Sequence, residues 1–198
     1  MGLLDKFKKN KDEEVNTDDL IKFRKLFEAG KHEEQLVLIE KIFPSKTESY
    51  YYSRGNVLSC LGRSQEALES YQTALKMDSK YIKASYRAGQ LFFHDEQYAE
   101  AENRFLDVIE IEEEDNEIQW SYGAIFHLIL IRHHLYQQYK APEILEARDE
   151  GIKILKTHVK FKNGDQDLIE YFQEYFREIL DTLEPDIIVE FRVSKNKK

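Results

Sequence analysis

One pattern of residues occurs twice in succession between residues 48 and 115, at an interval of 34 positions. Gly55 recurs as Gly89, and Gly123 continues the series at the same interval. The other repeated positions are Glu66 with Glu100, Ala67 with Ala101, Tyr71 with Phe105, and Ala74 with Val108. A fixed period of this length is typical of proteins built from stacked copies of one supersecondary unit, so the pattern predicts a repeat architecture.

Each copy of the pattern predicts two helices joined by a tight corner. In the first copy these helices cover residues 50–61 and 65–77, and Gly62 tolerates the positive φ that ends the first of them. Small residues allow the two helices to cross closely, while Tyr71 fills the space between one helix pair and the next. The small residues at this crossing are Gly55, Ala67 and Ala74. Because Gly55 lowers helix propensity, its recurrence indicates a packing requirement.

These residues resemble the tetratricopeptide repeat, whose helices carry an aromatic-x2-Leu-Gly-x2-Tyr pattern and an Ala-x3-Phe-x2-Ala pattern. The first helices here read Tyr51-x2-Arg54-Gly55-x2-Leu58 and Ser85-x2-Ala88-Gly89-x2-Phe92. The second helices read Ala67-x3-Tyr71-x2-Ala74 and Ala101-x3-Phe105-x2-Val108. Ser79 and Glu113 stand where the family usually has a terminal proline. The resemblance implies an all-α fold, a right-handed α-solenoid of helix-turn-helix repeats with a C-terminal capping helix.

The chain is expected to divide into three segments. Residues 1–16 form a basic, flexible N-terminal segment, residues 17–184 form the helical repeat domain, and residues 185–198 form a tail. Within the domain, the predicted parts are a degenerate repeat at 17–47, repeats at 48–81 and 82–115, and an extended third repeat with a capping helix at 116–184. The β-branched stretch at 187–193 is expected to lie extended along its own chain.

Local signals add five expectations. Thr17 or Asp18 is expected to cap a helix that carries Leu20, Ile21, Phe23, Leu26 and Phe27. The acidic run at 110–115 is interpreted as a solvated turn between repeats. The apolar residues of 116–139 predict a long buried helix. Pro142 is expected in the first turn of the next helix, at about 142–159. Cys60 is expected to be half-buried.

Charge and composition exclude several classes of function. The net charge is −9, so the chain lacks the basic face that nucleic acids require. No run of 18 apolar residues predicts a membrane span, and no signal peptide is visible. The lone Cys60 fits a reducing compartment. Together these features predict a cytoplasmic protein.

The motifs of common catalytic sites are missing from the sequence. There is no phosphate-binding glycine loop, no nucleophile elbow and no pair of cysteines. His127 and His134 are seven positions apart on one helix, whereas a helical zinc pair favours a spacing of about four with a third ligand in register. We therefore predict no catalytic, cofactor or metal site, and no enzymatic activity.

The resemblance implies that the first helices line a concave groove that receives a protein segment. The residues it assigns to that groove are Tyr52, Asn56, Lys83, Tyr86, Arg87, Gln90, Phe93, His94, Trp120 and Ser121. Helical spacing independently favours one face for a set of residues on this helix, namely Lys83, Tyr86, Arg87, Gln90 and His94. Cations beside aromatic rings suit a carboxylate with an apolar neighbour, so this surface predicts a protein or peptide partner.

Some tetratricopeptide repeat proteins clamp the C-terminal carboxylate of a chaperone, but that motif is incomplete here. Lys83-x3-Arg87 fits its last element, while Leu20, Arg24 and Ser53 replace residues of the earlier elements. Chaperone binding is therefore not predicted. Two other hypotheses stay open from the sequence. The basic, amphipathic residues 1–11 fit a peripheral membrane-surface protein, and residues 189–193 or exposed ends of the solenoid fit self-assembly.

Overall fold

The computed structural model describes residues 16–115 and 120–157, and all secondary structure within these ranges is α-helical. In chain order the helices are α1 (Thr17–Glu28), α2 (His32–Ile42), α3 (Glu48–Cys60), α4 (Ser64–Met77), α5 (Ile82–His94), α6 (Tyr98–Asp115), α7 (Ser121–Tyr139) and α8 (Pro142–Thr157). The predicted all-α fold of helix-turn-helix pairs is confirmed. The predicted capping helix and the stretch at 187–193 lie outside the described residues, as does nearly all of the N-terminal segment.

The chain divides into two compact units, with the boundary between Ile111 and Glu112. In the first unit, consecutive helices from α1 to α5 pack against one another in order, and α3 also contacts α5. In the second unit, α7 packs against α8. Contacts between successive helices and between alternate ones are the arrangement that a stacked repeat requires. The segment boundaries expected from the sequence stay predictions.

The close helix crossing expected from the repeat pattern is present in both regular repeats. A Cβ atom placed on Gly55 would lie 2.5 Å from Cε1 of Tyr71, and one on Gly89 would lie 2.9 Å from Cε1 of Phe105. Tyr71 and Phe105 are both fully buried. Glycine is therefore required because an aromatic ring of the second helix occupies the position of its side chain.

The corners between paired helices use the left-handed backbone conformation. Gly62 has φ 72°, and Glu96, which is the equivalent residue of the next repeat, has φ 60°. Both corner residues donate their backbone N–H groups to carbonyls of the preceding helix, Gly62 to Ser59 and Glu96 to Phe93. The geometry of the corner is thus conserved between the two repeats even where glycine is replaced, at a cost of about 1 kcal/mol in backbone strain.

The first helix begins differently from the prediction. Asn16, rather than Thr17 or Asp18, is the capping residue, because its side-chain oxygen accepts the backbone N–H of Asp18 at 2.9 Å. Asn16 has an extended backbone, whereas Thr17 and Asp18 already belong to the helix. Asp18 and Asp19 then provide negative charge in the first turn, where the helix dipole favours it.

The interpretation of residues 110–115 as a solvated turn is wrong. Helix α6 continues through this acidic run to Asp115. The reason is Glu112, which is buried and whose carboxylate accepts the backbone N–H groups of Trp120 (2.7 Å) and Ser121 (2.6 Å) at the start of α7. One residue of the run thus has a specific structural partner, and the helix must extend to position it.

The third helix pair follows the prediction more closely. Within α7, the side chains of Ile125, Phe126 and Ile129 are buried, and Pro142 opens α8. A Cβ on Gly151 of α8 would lie 2.9 Å from Cγ1 of Ile129, so a close crossing also occurs here. Helices α7 and α8 therefore cross as closely as the paired helices of the two regular repeats do.

His127 is a structural residue of α7. Its ring is buried, and Nδ1 lies 2.7 Å from the carbonyl oxygen of Gly123, one turn earlier in the same helix. Burial lowers the pKa of His127, so the neutral ring is favoured. Residues 16–115 and 120–157 contain no cluster of three or more candidate metal ligands.

Candidate functional site

The first unit contains a groove of about 900 Å³. Helices α1, α3 and α5, which are the first helices of three successive pairs, form most of its lining. From α1 and α3 the lining residues are Leu20, Ile21, Phe23, Arg24, Lys25, Phe27, Glu28, Tyr52, Ser53, Asn56, Val57, Ser59 and Cys60. From α5, the second helices and the C-cap of α2 they are Arg87, Gln90, Leu91, His94, Gln35, Ile42, Tyr71 and Phe43. We call this surface the α1–α3–α5 groove.

The structure brings five of the ten sequence-predicted site residues together in this groove. They are Tyr52, Asn56, Arg87, Gln90 and His94. Their grouping follows from the repeat, because residues at equivalent positions of stacked first helices lie side by side. Whether they bind a partner stays a prediction.

Three further predicted residues lie on α5 beside the groove rather than in its lining. Lys83 places its ammonium group 6.0 Å from the ring centre of Tyr52, at the outer limit of a cation–π contact. The ring of Tyr86 packs edge-on against Phe105, with centroids 5.8 Å apart, and that of Phe93 packs against Tyr98 at 5.9 Å. Tyr86 and Phe93 therefore contribute to packing between helices.

The last two predicted residues, Trp120 and Ser121, belong to the second unit. Both donate their backbone N–H groups to Glu112, and the side chain of Ser121 is buried. Their contribution here is to the start of α7. Their assignment to a partner-binding surface stays a prediction.

Helix α1 forms a wall of the groove that the repeat pattern does not predict. Ile21 and Phe27 line it while 46% and 54% exposed, whereas Leu26 on the same helix is buried. At about 100° per residue, Ile21 lies about 140° around the helix from Leu26. This separation was available in the sequence, and it shows that the apolar residues of α1 cannot all face one core.

Positive charge predominates in the groove, although the chain as a whole carries −9. Arg24, Lys25 and Arg87 line the groove together with one carboxylate, that of Glu28. Within residues 16–115 and 120–157, none of these three cations forms an ion pair. Arg87 instead donates from Nη1 to the side-chain oxygen of Gln90 at 2.9 Å.

The amide side chains of the groove accept hydrogen bonds from within the protein. Asn56 Oδ1 accepts the Tyr71 hydroxyl at 2.9 Å, just as Gln90 Oε1 accepts from Arg87. Burial raises the pKa of Tyr71, which keeps its hydroxyl protonated as the donor. These bonds orient the amides of Asn56 and Gln90 so that their NH₂ groups are available as donors to a ligand, whereas the buried Gln35 donates its NH₂ group to the carbonyl oxygen of Phe23.

Cys60 also lines the groove and is exposed, so the expectation that it is half-buried is wrong. It is the last residue of α3, where the helix reaches the corner and neighbouring side chains cover it less.

In the described part of the chain, no helix combines the length and apolarity needed to cross a membrane.

Comparison with known proteins places these features in a family. Residues 49–81 match the profile of the tetratricopeptide repeat. Tetratricopeptide repeat protein 6 of Homo sapiens is 31% identical over 86 residues, which is 43% of this chain and 16% of that protein. The general transcriptional corepressor trfA of Dictyostelium discoideum is 32% identical over 94 residues, 48% of this chain and 6% of that protein. The chain thus matches less than a fifth of the length of either relative.

Solved structures show the same fold at lower identity. The MamA RS-1 ArsTM double mutant superposes with a TM-score of 0.61 at 19% identity, covering 91% of this chain and 93% of that one. The kinesin light chain of Podosopora anserina with nearly identical TPR-like repeats gives 0.57 at 13% identity, covering 90% and 93%.

Stacked helix pairs with a groove along their first helices define an α-helical repeat protein. The match of residues 49–81 to the family profile, together with the 34-residue period and the glycine–aromatic crossings, identifies its regular repeats as tetratricopeptide repeats. Repeats of this family are generally non-catalytic modules for protein–protein interaction.

Proposed function

We propose that this chain is a non-enzymatic adaptor of the cytoplasm that binds a segment of a partner protein in the α1–α3–α5 groove. The observation that carries the proposal is the exposure of Ile21 and Phe27 on the groove wall. Large apolar side chains grouped in a concave surface with a few polar residues are typical of a binding site.

The energetics favour a protein segment that brings its own apolar side chain. Full burial of a side chain such as Ile or Phe contributes about 1.5–3 kcal/mol, and roughly half of that remains to be gained at Ile21 and Phe27. Tyr52 and Arg87 add residue types that are enriched at interaction hot spots. Micromolar affinity corresponds to about −8 kcal/mol, so the two apolar contacts provide part of the binding free energy and the other contacts of the groove must provide the rest.

An affinity capture from the lysate of the native host tests the proposal. The bait proteins are the wild type, Phe27→Asp, Arg87→Ala and a control, Val37→Asp. Val37 is 76% exposed on α2 and does not line the groove. We expect a protein that is retained by the wild type and the control and is lost with both groove variants. A protein retained equally by all four baits would contradict the proposal.

A further inference from the structure

We infer that the segment held in the α1–α3–α5 groove is acidic and carries a large apolar side chain. In this arrangement its carboxylates meet the cations of α1 and α5, and its apolar side chain packs on Ile21 and Phe27. The inference rests on the proposed function and specifies the chemistry of the partner at that site.

The positive charge of the groove favours an acidic occupant. The chain has 38 acidic and 29 basic residues, so an arbitrary patch of its surface is expected to be acidic. The groove reverses this balance, with Arg24, Lys25 and Arg87 against Glu28. A neutral or basic segment would cover these cations without giving them a counter-charge, which is costly when charges lose water. A segment with carboxylates provides the counter-charge and is attracted before contact.

The hydrogen bonds within the groove favour an occupant that is rich in acceptors. The side-chain oxygens of Asn56 and Gln90 accept from Tyr71 and Arg87, so both amides offer N–H groups to a ligand. Arginine and lysine side chains can only donate. Apart from the hydroxyls and the carboxylate of Glu28, the polar groups that the groove offers to a ligand are therefore mainly donors, and an occupant rich in acceptors satisfies them. Carboxylates are the strongest acceptors among protein side chains.

The length and the apolar lining of the groove favour a peptide over a small anion. A small anion would leave Ile21, Phe27 and Leu91 of the lining uncovered. Neighbouring helices pack about 8–10 Å apart, so a groove across α1, α3 and α5 is roughly 20 Å long. An extended segment of about six residues spans that length. The groove therefore accommodates a peptide with several carboxylates and at least one apolar anchor.

Selection from a displayed library of random 12-residue peptides tests the inference. The full-length wild type is compared with Arg24→Glu/Arg87→Glu, with Phe27→Asp and with a control, Lys22→Glu/Lys76→Glu. Both double variants change the net charge equally, but Lys22 and Lys76 are exposed outside the groove lining. Circular dichroism verifies that each variant is helical, and Arg24→Gln/Arg87→Gln serves as a milder second variant.

We expect peptides selected on the wild type to combine Asp or Glu with Phe, Leu, Ile or Trp. Their affinity should fall about tenfold or more with either groove variant, and also when the peptide's Glu residues become Gln. The control should stay within about twofold, because exposed charges outside the groove contribute little.

Two results would overturn the inference and are distinguishable. Neutral or basic peptides that require Phe27 would show that the groove binds a partner of different chemistry, so the proposed function would stand without this inference. Peptides that bind Phe27→Asp as tightly as the wild type, or the absence of any selected peptide, would remove the groove as the site and contradict both.

Discussion

At the scale of single residues, the contact between Gly55 and Tyr71 shows why the repeat pattern is specific. A Cβ atom on Gly55 would lie 2.5 Å from the Tyr71 ring, which is fully buried and cannot move aside. Gly55→Ala should therefore lower the free energy of unfolding by about 1 kcal/mol, since overpacking outweighs the gain in helix propensity. Urea unfolding followed by circular dichroism measures the change.

Replacing Tyr71, the residue that Gly55 contacts, separates the effect of this contact from other effects of replacing the glycine. In a Tyr71→Leu background the alanine has room, so the cost of Gly55→Ala should disappear. Gly62→Ala, at a corner with φ 72° and no atom within 4 Å of an added Cβ, should cost the same in both backgrounds. Stabilisation of the wild type by Gly55→Ala would contradict the close crossing.

Tyr50 makes stability depend on alkaline pH. Burial raises its pKa from 10.0 to about 12, and the hydrogen bond to Glu40 adds to this effect. Below pH 10 the stabilisation is fully present, and it is lost as pH rises from 10 to 12 because the unfolded chain ionises first. The expected slope is up to about 1.4 kcal/mol per pH unit.

Urea titrations between pH 9 and about 12 would test this dependence. Tyr50→Phe removes one ionisable hydroxyl and should make the decline shallower, while the remaining decline comes from other buried tyrosines such as Tyr71, whose pKa is also raised by burial. Tyr139→Phe is the matched control, since Tyr139 is 63% exposed. Parallel declines in the wild type and Tyr50→Phe would show that Tyr50 does not cause the dependence.

At the scale of helices, the bounds of a helix can be predicted where its packing contact recurs in each repeat. They cannot be predicted where the contact occurs once in the chain. The expected helices 50–61 and 65–77 correspond to Glu48–Cys60 and Ser64–Met77, because the glycine–aromatic contact fixes both of them. The prediction of a solvated turn at the acidic end of α6 is wrong because composition alone does not distinguish such a turn from an acidic helix end. The acidic end of α6 instead holds the start of α7, because the Glu112 carboxylate accepts the backbone N–H of Trp120, eight residues later. No local sequence pattern encodes this contact.

Glu112 joins two helices and should be sensitive to substitution. Its buried carboxylate accepts two backbone N–H groups at the start of α7, where the helix dipole also favours negative charge. Glu112→Gln should lower the free energy of unfolding by about 1–3 kcal/mol. Glu113→Gln, on the exposed side of the same helix, should change it by less than about 0.5 kcal/mol.

Hydrogen exchange adds a local measurement to this comparison. Amides in the first turns of α7 should exchange faster in Glu112→Gln than in Glu113→Gln, because the bond from Ser121 is weakened. Equal stability and equal exchange in the two variants would mean that the carboxylate does not cap α7.

At the scale of the whole molecule, the groove depends on how helices distant in the sequence are stacked. Resemblance to the family was sufficient to place Asn56, Arg87 and Gln90, because they occupy repeated positions. The wall formed by Ile21, Arg24 and Phe27 belongs to the degenerate first repeat, where the pattern is weakest. Its apolar side chains looked like core residues, and only the packing of α1 on α2 shows which of them remain exposed.

Cys60 provides a test of the groove in the intact chain. It is the one cysteine of the sequence, it is exposed, and it lines the groove. Coupling a bulky aromatic maleimide to Cys60 should fill part of the groove and weaken partner binding about tenfold or more, because well-packed central contacts dominate affinity. Bound partner should in turn slow the reaction of the thiol. Mass spectrometry measures labelling, and fluorescence anisotropy measures affinity.

The matched control moves the thiol to another surface. In a Cys60→Ser/Val37→Cys variant, the new thiol lies on α2, at a position that is 76% exposed and outside the groove lining. The same maleimide should react there at a rate that the partner does not change, and the affinity should stay within about twofold. If labelling at Cys60 also leaves affinity unchanged, the partner does not occupy the groove. If the partner slows labelling of Cys60 and does not slow labelling of the thiol on α2, it lies beside the C-terminal end of α3.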